Sequence, residues 1–374
     1  MSKRKITITT GTRAEYGLLR PVLEEILKKK NLELFLIVTG THLSKKHGMT
    51  IHEIKNDGFK IFQKIQFLPK KNTNLDITKS LGEGIINFGK IFGKIKPDIN
   101  VILGDRPEVF ASAISAYMMN IPNAHIHGGD ISGNIDEYTR HAITKISNIH
   151  FPATQKSKNR IVKMGENPKF VFKVGSSSID DIKLGKISAS HSFEKKYRIN
   201  LQQKFIVLLY HPETTSIINI KKSIKLILNA IGSFNLPIIS ICPNSDSGSN
   251  IIYNELHEFQ KNNHLVKLFS SIPRDDFLCL LNNSGILVGN SSSGIIEGSY
   301  MGTPVVNIGS RQNGREQSSN VINVKNESEN CIKNAIKKAL KTKRKKSLVY
   351  GNGTSSQKIT RHLEKIKLNN ELME

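Results

Sequence analysis

The sequence predicts an α/β protein made of two domains, each a parallel sheet with helices on both faces. Short apolar runs alternate with helix-like segments from end to end. The alternation pauses at the Gly/Ser-rich "VGSSSIDDIKLGK" and a polar stretch behind it, then restarts. A chain of 374 residues is also long enough for two ordinary cores.

In the first half, "KITITT", "LELFLIV", "FKIFQKIQF", "DINVILG", "IPNAHIH", "SNIHFPA" and "KFVFKVG" read as strands. Runs this short and this apolar suit strands covered on both faces. Between the first two, "YGLLRPVLEEILKK" places Leu18, Leu19, Val22, Leu23, Ile26 and Leu27 at helical spacing. "PEVFASAISAYMMN" opens on Pro107, a residue favoured in a first helical turn. "GIINFGK", Gly84 to Lys90, imitates a phosphate loop, but Ile91 replaces the hydroxyl residue such a loop needs. Its apolar spacing reads as an amphipathic helix instead.

In the second half, "FIVLLY", "LPIISIC", "HLVKLF", "GILVGN" and "TPVVNIG" read as strands, and "SSQKITRHLEKIKL" as a terminal helix. The expected division is therefore 1–175, 176–350 and a closing helical segment, 351–374. Two such sheets imply a cleft between domains, with ligands at the C-terminal ends of the strands.

Composition narrows the function. Fifty-five basic against 31 acidic residues give a net charge of +24, which first suggests nucleic acid. Yet lysines are spread through nearly every helical segment, and aromatics, at 6%, do not interleave with them as base stacking requires. An anionic small substrate fits the charge better, with no nucleic acid or membrane as partner. No apolar run approaches the length of a membrane span. The basic N-terminus leads into a β pattern rather than the apolar core of a signal peptide. Cys242, Cys279 and Cys331 are too few and too scattered for a disulfide framework or zinc knuckle, so a reducing cytoplasm is expected.

The residues of chemical interest cluster where strands end. "TTGTRAEYG" closes a strand on Gly11 and sets Arg13 beside a helix start, a place where N–H groups and a forked cation suit an anion. A tight turn with a surface arginine reads equally well. "ILGDRPE" puts Asp105 and Arg106 after a buried strand, with Asp105 either chemical or a cap for the Pro107 helix. "LLYHPET" does the same with His211. In "LVGNSSSGIIEGSYMGTPVVNIGSRQNGRE", Asn290, Ser291, Ser292 and Ser293 precede a helix start suited to a diphosphate. Glu297 is placed to accept from ribose hydroxyls, or simply to favour a first helical turn. Arg311 and Arg315 follow the next strand.

The densest stretch is "AHIHGGDISGNIDEYTRH", Ala124 to His141, where seven of eighteen residues are His, Asp, Glu or Arg. His125 and His127, two apart on a strand, are expected to face one side. A metal held by them with Asp130 or His141 is one reading, a solvated strand face another. Asp136 and Glu137 suit a helix N-terminus, with Asp136 one turn from Arg140. Together Asp105, His127, Asp130 and Asp136 would serve proton chemistry on a group attached to a nucleotide.

These motifs are recognisable. "GTRAEYGLLRP", "GDRPE", "HIHGGDISGNIDEYTRHAITKIS" and "GNSSSGIIEGSYMGTPVVNIGSRQNGR" closely resemble the hydrolysing UDP-N-acetylglucosamine 2-epimerases, in order from about residue 5 to about residue 316. The resemblance implies two Rossmann-like domains of the GT-B type, with the last helix crossing back onto the first domain. It also implies a homo-oligomer, dimer or tetramer, and no metal or cofactor. The implied reaction is anti elimination of UDP across C1–C2 of an N-acetylated amino sugar, followed by hydration to the free manno sugar. Such enzymes open sialic acid and related nonulosonic acid synthesis. Non-hydrolysing 2-epimerases and GT-B glycosyltransferases are the neighbouring alternatives. By motif, Asp105 and Asp136 match catalytic acids, Arg13 and His211 match phosphate or substrate contacts, and Ser291, Ser292, Glu297 and Arg311 match the UDP segment. His127 stands where many members carry a catalytic Glu, so proton transfer falls to His127 or to Asp130. Relatives acting on nucleotide-linked N,N′-diacetylbacillosamine, on the way to legionaminic acid, share the pattern.

Overall fold

A computed structural model describes residues 3–69, 73–132, 136–213, 220–243 and 248–373. Two six-stranded sheets form. The first holds β1 (Arg4–Thr10), β2 (Leu32–Thr39), β3 (Ile61–Ile65), β4 (Ile99–Leu103), β5 (Asn123–Ile126) and β6 (Ile149–Phe151), ordered β3-β2-β1-β4-β5-β6. The second holds β7 (Ile206–Leu209), β8 (Ile238–Ile241), β9 (Val266–Phe269), β10 (Ile286–Gly289), β11 (Val305–Ile308) and β12 (Val321–Val324), ordered β12-β11-β10-β7-β8-β9. Every pairing is parallel. Read from its other end, the second sheet repeats the topology of the first. Strand order therefore reverses between β1 and β4 in one sheet and between β7 and β10 in the other, the points where open α/β sheets bind ligands.

The strands are apolar because both faces are covered. Ile6, Ile8, Leu36, Val38 and Val101 pack beneath Leu19, Leu23 and Ile26 of the helix Arg13–Leu27, together with Ile359 and Leu363 of the helix Ser355–Lys365. On the opposite face Ile37 and Ile65 meet Phe88, Phe92 and Ile95. Those three belong to the helix Asn74–Ile95, which contains the whole "GIINFGK" stretch, as its spacing predicts. In the second sheet Ile206, Leu208, Ile286 and Val288 face Ile224, Ile227 and Ile336, while Val207, Leu209 and Leu287 face Phe205, Leu280 and Leu281.

Two strand expectations change. "KFVFKVG" starts with a 3-10 turn, Pro168–Phe170, and forms one bridge, Val171 to His150, rather than a strand. Phe172 and Val174 donate to His150 and Pro152 carbonyls at 2.9 and 3.1 Å, but Pro152 has no N–H to return, so the ladder stops. Conversely β12 forms from "VINV", a half-exposed edge strand whose polar neighbours hid it.

Contacts divide the chain into two compact units. One comprises Met1–Asp130, Ile135–Asp180 and Gly351–Glu374, the other Ile131–Asn134 and Asp181–Tyr350. In the first, the buried Asp180 carboxylate accepts from the N–H groups of Ser355 and Ser356 at 3.0 and 2.6 Å, fixing the start of the helix Ser355–Lys365. Among the described residues no helix is long and apolar enough to cross a membrane.

Candidate active site

In the first unit, the loop after β1 is organised by a capping box. The Thr12 hydroxyl accepts from the Glu15 N–H at 3.3 Å, while Glu15 Oε2 accepts from the N–H groups of Gly11 and Thr12, each at 3.0 Å. The N–H groups expected to greet an anion here are thus taken by Glu15. Arg13 remains as the cation of this loop, with its Nε 3.2 Å from Glu53 Oε1. Glu15 is buried, and its pKa is pushed up to about 8 by burial and then by the neighbouring carboxylate of Glu108.

After β4, Gly104 takes a left-handed turn with φ of 77° and delivers Asp105. Asp105 does not cap the next helix. Arg106 occupies the N-cap position of Pro107–Met118, and Asp105 Oδ2 accepts instead from Arg140. The Arg106 side chain runs to within 3.8 Å of Glu108 Oε2.

The histidine pair behaves differently from its spacing. Strand β5 ends at Ile126, so His125 lies on it and His127 lies beyond it, with φ of 62°. The shared face expected for the two is lost, because a left-handed residue breaks the two-residue alternation. His125 is fully buried, bonded to the Gly104 carbonyl at 2.8 Å and to Thr144 Oγ1 at 3.2 Å. Burial lowers its pKa to about 3. His127 is buried and its N–H donates to the Phe151 carbonyl at 3.1 Å. The Gly-Gly pair answers to crowding. A Cβ on Gly128 would lie 2.8 Å from His125 Nδ1, and one on Gly129 2.5 Å from the Ser157 carbonyl.

Asp130 is buried and turned toward the helix Gln155–Lys163, where its Oδ1 accepts from Ser157 Oγ at 2.5 Å. Asp136 is exposed at the first position of the helix Asp136–Lys145. One turn on, Arg140 is buried and donates to Asp105 and, at 2.7 Å, to the Asp130 carbonyl. Burial disfavours its charge, but Asp105, Asp130 and Asp136 outweigh that and hold its pKa above the usual guanidinium value. Arg140 therefore joins three of the four sequence-derived catalytic candidates. Among the described residues no group of three or more His, Cys, Asp or Glu is placed to hold a metal ion.

In the second unit, Asn290 bridges the reversal point. Its Oδ1 accepts from the His211 N–H at 2.7 Å and its Nδ2 donates to the His211 carbonyl at 2.9 Å, tying the ends of β7 and β10. Gln312 Nε2 and Arg311 donate to the Asn290 carbonyl at 2.9 and 3.4 Å. His211 is buried, and burial, with Arg311 adding to it, lowers its pKa to about 3, so the ring is neutral at pH 7. Ser291 caps the short helix Ser292–Ile295 by accepting from the Ser293 N–H at 3.3 Å. Ser292 and Ser293 stay half-exposed beside it. Glu297 opens the next turn, Glu297–Met301, buried, with Oε1 3.4 Å from Arg274.

Sequence reasoning missed Glu15 and Glu108 as a buried carboxyl pair, Arg140 as a hub and Glu213 as a loop anchor. Glu213 accepts from the N–H groups of Ser310 and Arg311 at 2.7 and 3.2 Å and from Ser310 Oγ at 2.7 Å. That fixes the turn carrying Arg311. The acid of "HPET" was visible, but its partners lie far along the chain.

Two Rossmann-like parallel-sheet domains, with acid groups at one reversal point and amide, hydroxyl and arginine groups at the other, define an enzyme of the GT-B fold class. A family profile described as UDP-N-acetylglucosamine 2-epimerase matches residues 24–364, and the chain belongs to that family. It is 38% identical over 371 residues, 99% of this chain and 98% of the other, to the hydrolysing UDP-N,N′-diacetylbacillosamine 2-epimerase of Legionella pneumophila. It is 36% identical over 324 residues, 86% of this chain and 82% of the other, to polysialic acid biosynthesis protein P7 of Escherichia coli. The crystal structure of UDP-GlcNAc 2-epimerase from Neisseria meningitidis bound to UDP-GlcNAc shares the fold, with a TM-score of 0.84 at 19% identity. That match covers 97% of this chain and 100% of that one.

Proposed function

We propose that this enzyme is a hydrolysing 2-epimerase acting on a UDP-linked N-acetylated amino sugar, UDP-N,N′-diacetylbacillosamine or UDP-N-acetylglucosamine. Its products are UDP and the free manno-configured sugar. The observation that carries the chemistry is one buried guanidinium, Arg140, bonded to the Asp105 carboxylate and to the Asp130 carbonyl and held charged by the nearby acids Asp130 and Asp136, at the C-terminal edge of the first sheet. The 38% identity over nearly the whole chain to a hydrolysing enzyme supports the reaction type and favours the diacetylated sugar. The likeness to a polysialic acid biosynthesis protein supports a place at the entry to sialic or legionaminic acid synthesis, in the cytoplasm.

The reaction proceeds in two stages. A base removes the C2 proton while the C1–O bond breaks, so UDP leaves and a C1=C2 glycal remains. Water then adds its hydroxyl to C1, and a proton returns to C2 on the opposite face. Asp105 and Asp136 serve as the acid and base groups. His127 takes the place of the family Glu in proton transfer, because Asp130 is engaged by Ser157 and acts as a support. In the second unit Ser291, Ser292 and Ser293 bind the diphosphate, and in the first unit Arg13 and Arg106 supply positive charge for the substrate. Asn290 holds His211 and Arg311 toward the nucleotide, and Glu297 accepts from the ribose. The neutral His211 ring contributes hydrogen bonds rather than charge. The working molecule is a homo-oligomer.

The test is proton NMR of the purified protein with each UDP-sugar in deuterated water, without added metal. Free UDP with a manno sugar deuterated at C2 is expected, faster from the diacetylated substrate. A UDP-sugar equilibrated at C2 without UDP release would point to the non-hydrolysing reaction. An unchanged spectrum with both, and with a GDP-linked counterpart, would overturn the assignment.

A further inference from the structure

Glu297 is 4% exposed, and a carboxylate that deep is costly unless something holds its charge. Arg274, the first residue of the helix Arg274–Asn283, sets a terminal nitrogen 3.4 Å from Glu297 Oε1. The Nε of the same guanidinium lies 3.7 Å from Asp181 Oδ2. Asp181 is completely buried, and Lys186 stands 3.8 Å from its other oxygen. The result is a row of alternating charge, Lys186, Asp181, Arg274 and Glu297, drawn from separate segments of the second unit. A planar guanidinium hydrogen-bonded to one carboxylate and within ion-pair distance of a second has little freedom to turn away. One oxygen of Glu297 is therefore oriented by protein, which fixes where its remaining acceptor directions point.

We propose that Arg274 is a positioning residue for the nucleotide, aiming the Glu297 carboxylate at the ribose hydroxyls and giving the site its discrimination between ribose and deoxyribose. The inference rests on the reading above, in which Glu297 accepts from the ribose. A site built to bond a hydroxyl rejects the analogue lacking it, because the acceptor is left unpaired. That rejection requires a rigid acceptor. A Glu297 released from Arg274 re-orients toward water and loses the distinction.

The experiment is calorimetric titration of the full chain with UDP, 2′-deoxy-UDP and 3′-deoxy-UDP, using wild type, Arg274→Met and Arg274→Lys, with KM and kcat from UDP release. Wild type is expected to bind at least one deoxy analogue about 10-fold to 100-fold more weakly than UDP. Arg274→Met is expected to bind UDP about 10-fold more weakly, to discriminate less than about threefold, and to raise KM while kcat stays within about threefold. Arg274→Lys, which keeps the charge and loses the fork, falls between and serves if the methionine variant does not fold. Full discrimination in a folded Arg274 variant overturns the proposal. Wild type that binds UDP and both deoxy analogues alike overturns the ribose role of Glu297. Wild type that binds no UDP overturns the proposed function itself.

Discussion

At the reversal point of the first sheet, between β1 and β4, the loops hold titratable groups in tension. Asp105 is tied to Arg140, and Glu15 and Glu108 are buried together beside Gly11. At the matching point of the second sheet, between β7 and β10, the loops hold groups with settled protonation. A side-chain amide grips the backbone of a neutral histidine, and serine hydroxyls flank a short helix. The topology is the same and the chemistry is opposite. In the proposed mechanism, one strand-end framework supplies proton transfer where carboxylates crowd, and ligand recognition where neutral donors and arginines do.

The strongest test of that contrast is Asp105→Asn. Turnover is expected to fall about 1,000-fold, with UDP affinity by calorimetry changed less than about threefold. A comparable loss of affinity would erase the division of labour. Next comes Gly289→Ala, which strikes the frame of the recognition point. Gly289 has φ of 139°, and a Cβ there would lie 2.0 Å from the Leu209 carbonyl oxygen. A loss of about 3 kcal/mol in denaturant unfolding is expected. His127→Gln is expected to lower kcat about 100-fold with KM little changed, separating the histidine from Asp130. Glu297→Ala is expected to weaken UDP about 10-fold to 100-fold while kcat at saturation holds.

The smallest expected effect concerns the acid pair. Glu15 has a folded pKa of about 8 against an ordinary 4.5, so the folded state binds its proton more tightly than the unfolded chain. That stability is complete below about pH 4.5 and is lost as pH rises toward 8. Glu108→Gln removes one of the causes, so the variant should lose about 1 kcal/mol less than wild type between pH 5 and pH 8, read from urea unfolding. Parallel curves for the two proteins would show that the carboxyls do not interact.

Much of this was legible in the sequence. Strands covered on both faces are short and apolar, so eleven of the twelve runs read as strands are strands, and Asp105, His211 and Asn290 follow strand ends as their motifs suggested. What stayed hidden depended on distance along the chain. Arg140 meets Asp105 across 35 residues, Arg274 meets Glu297 across 23, and Glu213 meets Ser310 across 97. No local pattern announces such pairs. His127 misled for another reason, since two-residue alternation holds only while the backbone stays extended, and the left-handed conformation of His127 itself ends that.

The strap formed by Ser355–Lys365 has a consequence for synthesis. Leu363 and Ile359 complete the core that Ile6 and Leu23 begin, yet they are made only after residues 181–350. A nascent chain therefore carries an unfinished first core while residues 181–350 are translated and can fold. Apolar surface on the helix Arg13–Leu27 waits uncovered for that interval, a natural landing place for a chaperone.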